Sequence, residues 1–309
     1  MKFSIVIPTH SEGLNLLETV TDIVEHSHGS DFEVIVTDDC SDDFSWFDIE
    51  DTDQVHVVFN PERLGVAGTR NNGAKYADGD VLIFIDAHSR VPAGWLETIE
   101  KETDVIRMSG REPFGRMLYG PVLGALGRED DTDELFTAGH AYRSPSLEFS
   151  FPPLKRSRYP YPVMLVPGGC QIIGREYFWT LGGFDTGLRP PFGQEDHELS
   201  LRVWMTGGEC RLIPQLTIRT LFRDEHPYGG VNWRNILFNE FRMARMYFGE
   251  ERFVKVVLDK LMDPGLQPEA VKALAEVLKP NASFDARSGA LPFRLTADDI
   301  FGKMFPGEW

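Results

Sequence analysis

The sequence predicts an α/β protein with a doubly wound mixed sheet, flanking helices and a helical C-terminal segment. Short apolar runs at residues 3–7, 32–36 and 81–85 each end in polar residues. Strands buried on both faces of a parallel sheet have this continuous apolar character. Between the first two runs, Leu14, Leu17, Val20, Ile23 and Val24 recur at helical spacing, which makes a strand-helix-strand unit. The last third carries a thick apolar stripe of helical period.

Taken in chain order, a further strand is expected at residues 55–59, followed by a helix over 66–76 that leads into the run at 81–85. Alternating strands and helices of this kind form a doubly wound sheet. From 112 to 162 the periodicity is lost, and Gly, Pro, Arg and aromatic residues surround an acidic knot at Glu129, Asp130, Asp131, Asp133 and Glu134. The expectation there is a long functional or mobile loop. Order returns over 163–173, pauses at Gly182-Gly183 and continues as a helix over 195–205 with Leu199, Val203 and Trp204 on one face. Beyond Arg223, the residues Trp233, Ile236, Leu237, Phe241, Met243, Ala244, Tyr247 and Phe248 form the core-packing stripe of a helix. Pro268 and Glu269 open another helix that ends before Pro280.

The composition bounds the function. Of 309 residues, 42% are hydrophobic and 26% charged, so the chain can bury a substantial core. Its formal charge of -17 disfavours binding to nucleic acid or to anionic lipid. No apolar stretch approaches the roughly 20 residues of a membrane span. Cys40, Cys170 and Cys210 are far apart and form no CxxC pair, so reduced, buried thiols in a cytoplasmic protein are expected.

Ligands of an open α/β sheet sit beyond the carboxyl ends of its strands. The residues there are Pro8-Thr9-His10, Thr37-Asp38-Asp39 and Asp86-Ala87-His88. Each set alone is equally well explained as a helix cap or turn. As a group they suggest a binding site, because a carboxylate and an imidazole two residues apart in extended chain point to the same side and can share a divalent ion. Asp86 and His88 are the best metal ligands on this ground. Motifs for a dinucleotide fingerprint, a phosphate loop, a nucleophile elbow and a zinc protease are all missing from the sequence.

These residues resemble those of nucleotide-sugar glycosyltransferases of the GT-A fold, in particular family 2. The matching segments are Ser4-Ile5-Val6-Ile7-Pro8-Thr9-His10 with Glu12, then Val34 through Asp39 to Asp43, then Arg70-Asn71-Asn72-Gly73-Ala74. The resemblance implies that Thr9 and Asp39 hold a uracil ring, with Pro8 also in the nucleotide site, Glu12 near the ribose and Arg70 close to the nucleotide sugar. Phe84-Ile85-Asp86-Ala87-His88 resembles the Asp-x-His form of the family's metal motif, found in polypeptide N-acetylgalactosaminyltransferases, which implies Mn²⁺ (or Mg²⁺) bound at Asp86 and His88 against the diphosphate of a UDP-sugar.

The second half resembles the same branch. Pro167-Gly168-Gly169-Cys170, Leu181 through Asp185, and the unbroken run from Phe192 to Trp204 correspond to the block where Gly169 admits the donor sugar, Glu195 accepts from its hydroxyls and Asp196 sits near the acceptor. Acidic residues at a helix N-terminus also complement the macrodipole. The run Thr220 to Tyr228 resembles the segment that folds over the diphosphate, implying contacts from Arg223 and Tyr228. Thr220 stands where that branch has a third metal ligand, a histidine. His226 would supply the missing nitrogen if its loop turns inward, and is otherwise a solvated loop histidine.

The resemblance implies a catalytic domain over 1–230, with a nucleotide-binding part at 1–110, an irregular insertion at 112–162 and an acceptor part at 163–230. A helical extension at 231–309 packs on it. Inverting family members carry Glu-Asp where the retaining branch carries Glu-Asn, so Glu195-Asp196 predicts inversion with Asp196 as general base. The alternatives are a retaining N-acetylgalactosaminyltransferase-like enzyme or a non-catalytic nucleotide-sugar-binding protein. A nucleotidyltransferase is disfavoured because the turn after the first strand, Pro8 to Gly13, has no lysine. The expected acceptor is a saccharide, a lipid-linked intermediate, a peptide or a small molecule.

Overall fold

The computed structural model describes residues 1–47, 49, 52–126, 137–143, 147–222, 231–279 and 296–304. The first half runs β1 (Lys2–Thr9), α1 (Leu14–His26), β2 (Asp31–Asp38), β3 (Val55–Phe59), α2 (Gly65–Tyr76), β4 (Val81–Ile85), β5 (Ser89–Arg90), α3 (Trp95–Met108) and β6 (Met117–Ala125). Then come β7 (Ala141–Arg143), β8 (Glu148–Ser150), β9 (Tyr161–Pro162), β10 (Cys170–Gly174), α4 (Arg175–Thr180), α5 (Glu195–Met205) and β11 (Glu209–Thr220). The last part holds α6 (Trp233–Tyr247), α7 (Glu250–Met262), α8 (Gln267–Val277) and α9 (Ala297–Met304).

The main sheet has the order β3-β2-β1-β4-β10-β6-β11-β5, with β9 also on β11. Strands β3, β2, β1 and β4 are parallel, and β10 enters antiparallel between β4 and β6. This is a mixed α/β sheet, as the sequence predicts. The strand alternation assigns each face its own core. Phe3, Ile5 and Ile7 of β1, with Val81, Ile83 and Ile85 of β4, face Leu16, Val20 and Ile23 of α1 and Trp95, Leu96 and Ile99 of α3. Val6, Leu82 and Phe84 face the other way, into a core shared with α4, α5 and the helices after residue 231.

Two expectations need correction. The supposed irregular stretch from 112 to 162 contains β6, nine residues that are all buried, and also β7, β8 and β9. Its apolar run is broken by Gly120 and Pro121, which hid the strand, yet Gly120 is required because a Cβ there would stand 2.6 Å from Val166 Cγ1. The acidic knot at 129–134 lies outside the described residues. Of the three thiols, Cys170 and Cys210 are buried, but Cys40 is exposed, since it occupies a left-handed turn (φ 59°) just past β2.

Candidate active site

The parallel strands β1, β2 and β4 end side by side, and their polar terminal residues open into a cleft of about 360 Å³. Pro8, Thr9, Glu12, Asp39, Arg70, Asp86, His88, Gly169 and Glu195 all line it, so the structure brings together residues from six segments of the sequence.

Asp39 does two things at this cleft. Its carboxylate accepts from Asn60 Nδ2 (2.8 Å), Leu64 N (2.7 Å) and Gly65 N (3.0 Å), which fastens the start of α2 to the end of β2. Helix α2 then delivers Arg70 to the cleft floor. There Arg70 Nη2 donates to Asp86 Oδ1 (3.1 Å) and to Gly168 O (2.8 Å), while Nη1 lies 3.8 Å from Glu195 Oε1. The guanidinium also lies over the Phe184 ring at 5.5 Å. Arg70 Nε and Nη1 and Thr9 Oγ1 are buried without a hydrogen-bond partner, an uncommon state that a polar ligand would relieve.

Asp86 and His88 leave β4 on the same side. His88 Nε2 is 4.0 Å from Asp86 Oδ2, and His88 Nδ1 is 3.3 Å from Glu12 Oε1. A carboxylate on the Nδ1 side leaves Nε2 as the ring nitrogen nearer Asp86. One divalent ion with arms of about 2.1 Å can span such a pair, so the donor set fits a metal of the Mg²⁺ or Mn²⁺ kind. Thr220, where the resemblance placed a third ligand, instead pairs with Ser89 Oγ (3.3 Å) across the β11–β5 ladder. Arg223, His226 and Tyr228 lie outside the described residues. Leu221 and Phe222, just before them, line the cleft.

Gly168 and Gly169 form the far wall. The Asp86 amide donates to Gly169 O at 3.3 Å, and a Cβ on Gly169 would stand 2.9 Å from Leu123 Cδ1 and 3.6 Å from Asp86 Oδ2. Only glycine lets the backbone run this close.

Glu195 and Asp196 open α5 and part ways. Glu195 is in the cleft, and burial, reinforced by the Asp196 charge, pushes its carboxyl above the usual range. Asp196 does not line the cleft. Its Oδ2 accepts from Gly168 N (2.9 Å), its Oδ1 from His197 N (2.8 Å), and Oδ2 lies 3.9 Å from His197 Nε2. Burial opposes its charge, but His197 and then His140 hold its carboxyl below the usual range. The expected base is therefore turned from the donor cleft toward two histidines. His140 Nδ1 is 2.9 Å from His197 Nε2. Burial and then the His197 charge hold His140 down at about 3. Sequence reasoning gave His140 and Gln194 no role. A lone histidine between β6 and β7 carries no local pattern, and its meaning comes only from the fold.

Residues 4–105 match the profile of Glycosyl transferase family 2. The chain is 29% identical over 244 residues to N-acetylgalactosaminyltransferase 7 of Drosophila melanogaster, covering 73% of this chain and 40% of that protein. It is 29% identical over 268 residues to human (Homo sapiens) polypeptide N-acetylgalactosaminyltransferase 10, covering 80% and 42%. The chain thus spans about four tenths of the length of these curated relatives. Among solved structures, GalNAc-T7 with UDP, GalNAc and Mn²⁺ superposes with a TM-score of 0.67 at 22% identity, over 95% of this chain and 58% of that one. The mannosyltransferase PcManGT from Pyrobaculum calidifontis with GDP-Man and Mn²⁺ gives 0.54 at 19% identity, over 93% and 78%. Residues 4–105 are thus similar to the family 2 glycosyltransferases, 80% of the chain is similar to a polypeptide N-acetylgalactosaminyltransferase, and 95% of it has the GT-A fold of the superposed structure.

Proposed function

We propose that the protein transfers a sugar from a UDP-sugar to a hydroxyl of a peptide or saccharide acceptor, with Mn²⁺ held by Asp86 and His88. The observation that carries this is the convergence of that ligand pair with buried polar groups that make no hydrogen bond, Thr9 Oγ1 and Arg70 Nε and Nη1, in one cleft. The superposed structures, which hold UDP or GDP-Man with Mn²⁺, agree with it in ligand class.

When bound, the ion would neutralise charge growing on the leaving diphosphate. Arg70 is fixed beside Asp86 before any ligand arrives, so its positive field costs no reorganisation during bond breaking. Gly169 leaves room for the sugar against the backbone. Glu195, held next to Arg70, can accept from sugar hydroxyls and orient the ring.

The stereochemical reading rests on Asp196. Inversion needs a base facing the acceptor, whereas the Asp196 carboxylate is occupied by two backbone amides outside the donor cleft. This placement favours the retaining alternative, in which the departing diphosphate itself takes the acceptor proton.

The test is a thermal-shift series with UDP, GDP, TDP and CMP, each with Mn²⁺ or EDTA, followed by product analysis. Saturating ligand at 100 times its dissociation constant stabilises by about 2.7 kcal/mol. The expected result is a UDP shift that requires Mn²⁺ and is lost in Asp86→Ala, then a product with the donor's anomeric configuration. No shift with any nucleotide would overturn the donor reading, and an inverted product would overturn the role given to Asp196.

A further inference from the structure

Behind the two-glycine wall of the donor cleft lies a second constellation. His140, Asp196 and His197 each offer a ligand atom, and these atoms lie within 4.8 Å of one another. We propose that His140, Asp196 and His197 form a metal site for Zn²⁺ or a similar late first-row divalent ion, separate from the Asp86–His88 pair.

The distances fit such an ion. Arms of about 2.0–2.1 Å at tetrahedral angles put ligand atoms about 3.3 Å apart. Here His140 Nδ1 and His197 Nε2 are 2.9 Å apart, and His197 Nε2 and Asp196 Oδ2 are 3.9 Å apart, so the separations bracket that value. Two nitrogens and one carboxylate oxygen suit zinc better than calcium or magnesium. Three protein ligands leave one position open.

The surroundings are those of an oriented ligand set. His197 Nδ1 lies 3.2 Å from Gln194 Oε1. An amide oxygen only accepts, so Nδ1 carries the proton and the Nε2 lone pair points into the cluster. Gln194 has φ 71°, a left-handed conformation that costs a non-glycine residue about 1 kcal/mol or more. It caps α5 without a side-chain cap bond, and its amide goes to His197 instead. The Asp196 carboxylate is likewise held by the amides of Gly168 and His197. His140 is pinned by paired backbone bonds with Leu165 (3.0 and 3.1 Å), and its ring stacks on Phe149 at 4.7 Å.

The site would act on the donor cleft through Gly168. That residue donates its amide to Asp196 and offers its carbonyl to Arg70, so an ion at Asp196 would stiffen the wall on which Arg70 rests. The competing explanation is a simple hydrogen bond from His140 Nδ1 to His197 Nε2 with no ion.

The experiment loads the full chain with Zn²⁺, removes loosely held metal by dialysis and measures zinc by elemental analysis. Co²⁺ replaces Zn²⁺ in a parallel sample for its visible spectrum. Expected are one zinc per chain and intense visible bands of tetrahedral cobalt, both kept in Asp86→Ala and both lost in His197→Ala. His140→Gln, at a half-buried position, repeats the loss with less risk to folding, and far-UV circular dichroism confirms that each variant is folded. Wild-type protein that keeps no zinc, or zinc kept in folded His140→Gln and lost in Asp86→Ala, would overturn the proposal. Zinc retention is read without nucleotide, so failure of the transferase reading would leave this result standing, and the reverse.

Discussion

Arg70 is 2% exposed, so its guanidinium must replace lost water with contacts inside the protein. Only Nη2 does so fully, bridging Asp86 Oδ1 and Gly168 O, while Nε and Nη1 make no hydrogen bond and Nη1 has only the longer approach to Glu195. A planar fork holds two acceptors in a fixed geometry while facing a third group, whereas a lysine ammonium is a compact charge on a flexible stem. Arg70→Lys is therefore expected to weaken UDP binding in Mn²⁺ by tenfold or more and to cost about 1–3 kcal/mol of stability, because Gly168 O or Asp86 loses its donor. Calorimetric titration and urea unfolding measure the two effects, and an unchanged affinity would remove Arg70 from the donor site. Arg70 could be picked out from the sequence because it stands in a local block, Arg70 to Ala74. The placing of Asp196 could not, since its carboxylate is turned from the cleft by the amides of His197 and of Gly168, a residue 28 positions earlier in the chain.

At the scale of elements, α2 lies on β1 and β2 so closely that a Cβ on Gly73 would stand 2.3 Å from Thr37 Oγ1 and 2.6 Å from Val6 Cγ1. In an exposed helix Gly→Ala would stabilise by about 1 kcal/mol. Here the methyl must push the helix off the sheet, and overpacking of this kind typically costs 1–3 kcal/mol. Gly73→Ala is thus expected to destabilise by about 1–2 kcal/mol net and, one turn from Arg70, to weaken nucleotide binding as well. A stabilised variant would mean that the helix and sheet are less closely packed than the distances indicate. Strands β1, β2 and β4 were visible in the sequence because both faces are buried and their residues are nearly all apolar. Strand β6 is buried as fully, but Gly120 and Pro121 interrupt it. Strand β11 alternates buried residues with partly exposed Arg211 and Arg219 and exposed Gln215, and no apolar run marks it.

The molecule as a whole depends on helices that contribute nothing to the donor cleft directly. Helix α6 places Asn239, whose Nδ2 donates to Arg189 O and Gly193 O (both 3.1 Å), and so holds the loop that presents Gln194, Glu195 and Asp196. One turn on, Arg242 Nε pairs with Asp185 Oδ2 at 3.0 Å, both nearly inaccessible to water. Tyr247 Oη donates to Glu198, which is also bonded to Arg202. Leu237, Phe241 and Met243 share one core with Leu199, Val203 and Leu118, so these polar ties are sealed from solvent. Breaking a buried pair from one side leaves an uncompensated charge and costs about 3–5 kcal/mol. Arg242→Met keeps the volume but removes the cation paired with buried Asp185, and it should lower unfolding stability by that amount. Because the pair bridges α6 to the loop before α5 inside a common core, the loss should be shared by the whole described fold. Trp95 and Trp204 report opposite faces of the sheet, and their fluorescence transition should move in step with far-UV circular dichroism. Separate transitions, with the donor cleft still binding UDP after the helices have melted, would mean instead that the segment after residue 231 folds apart from the sheet it covers.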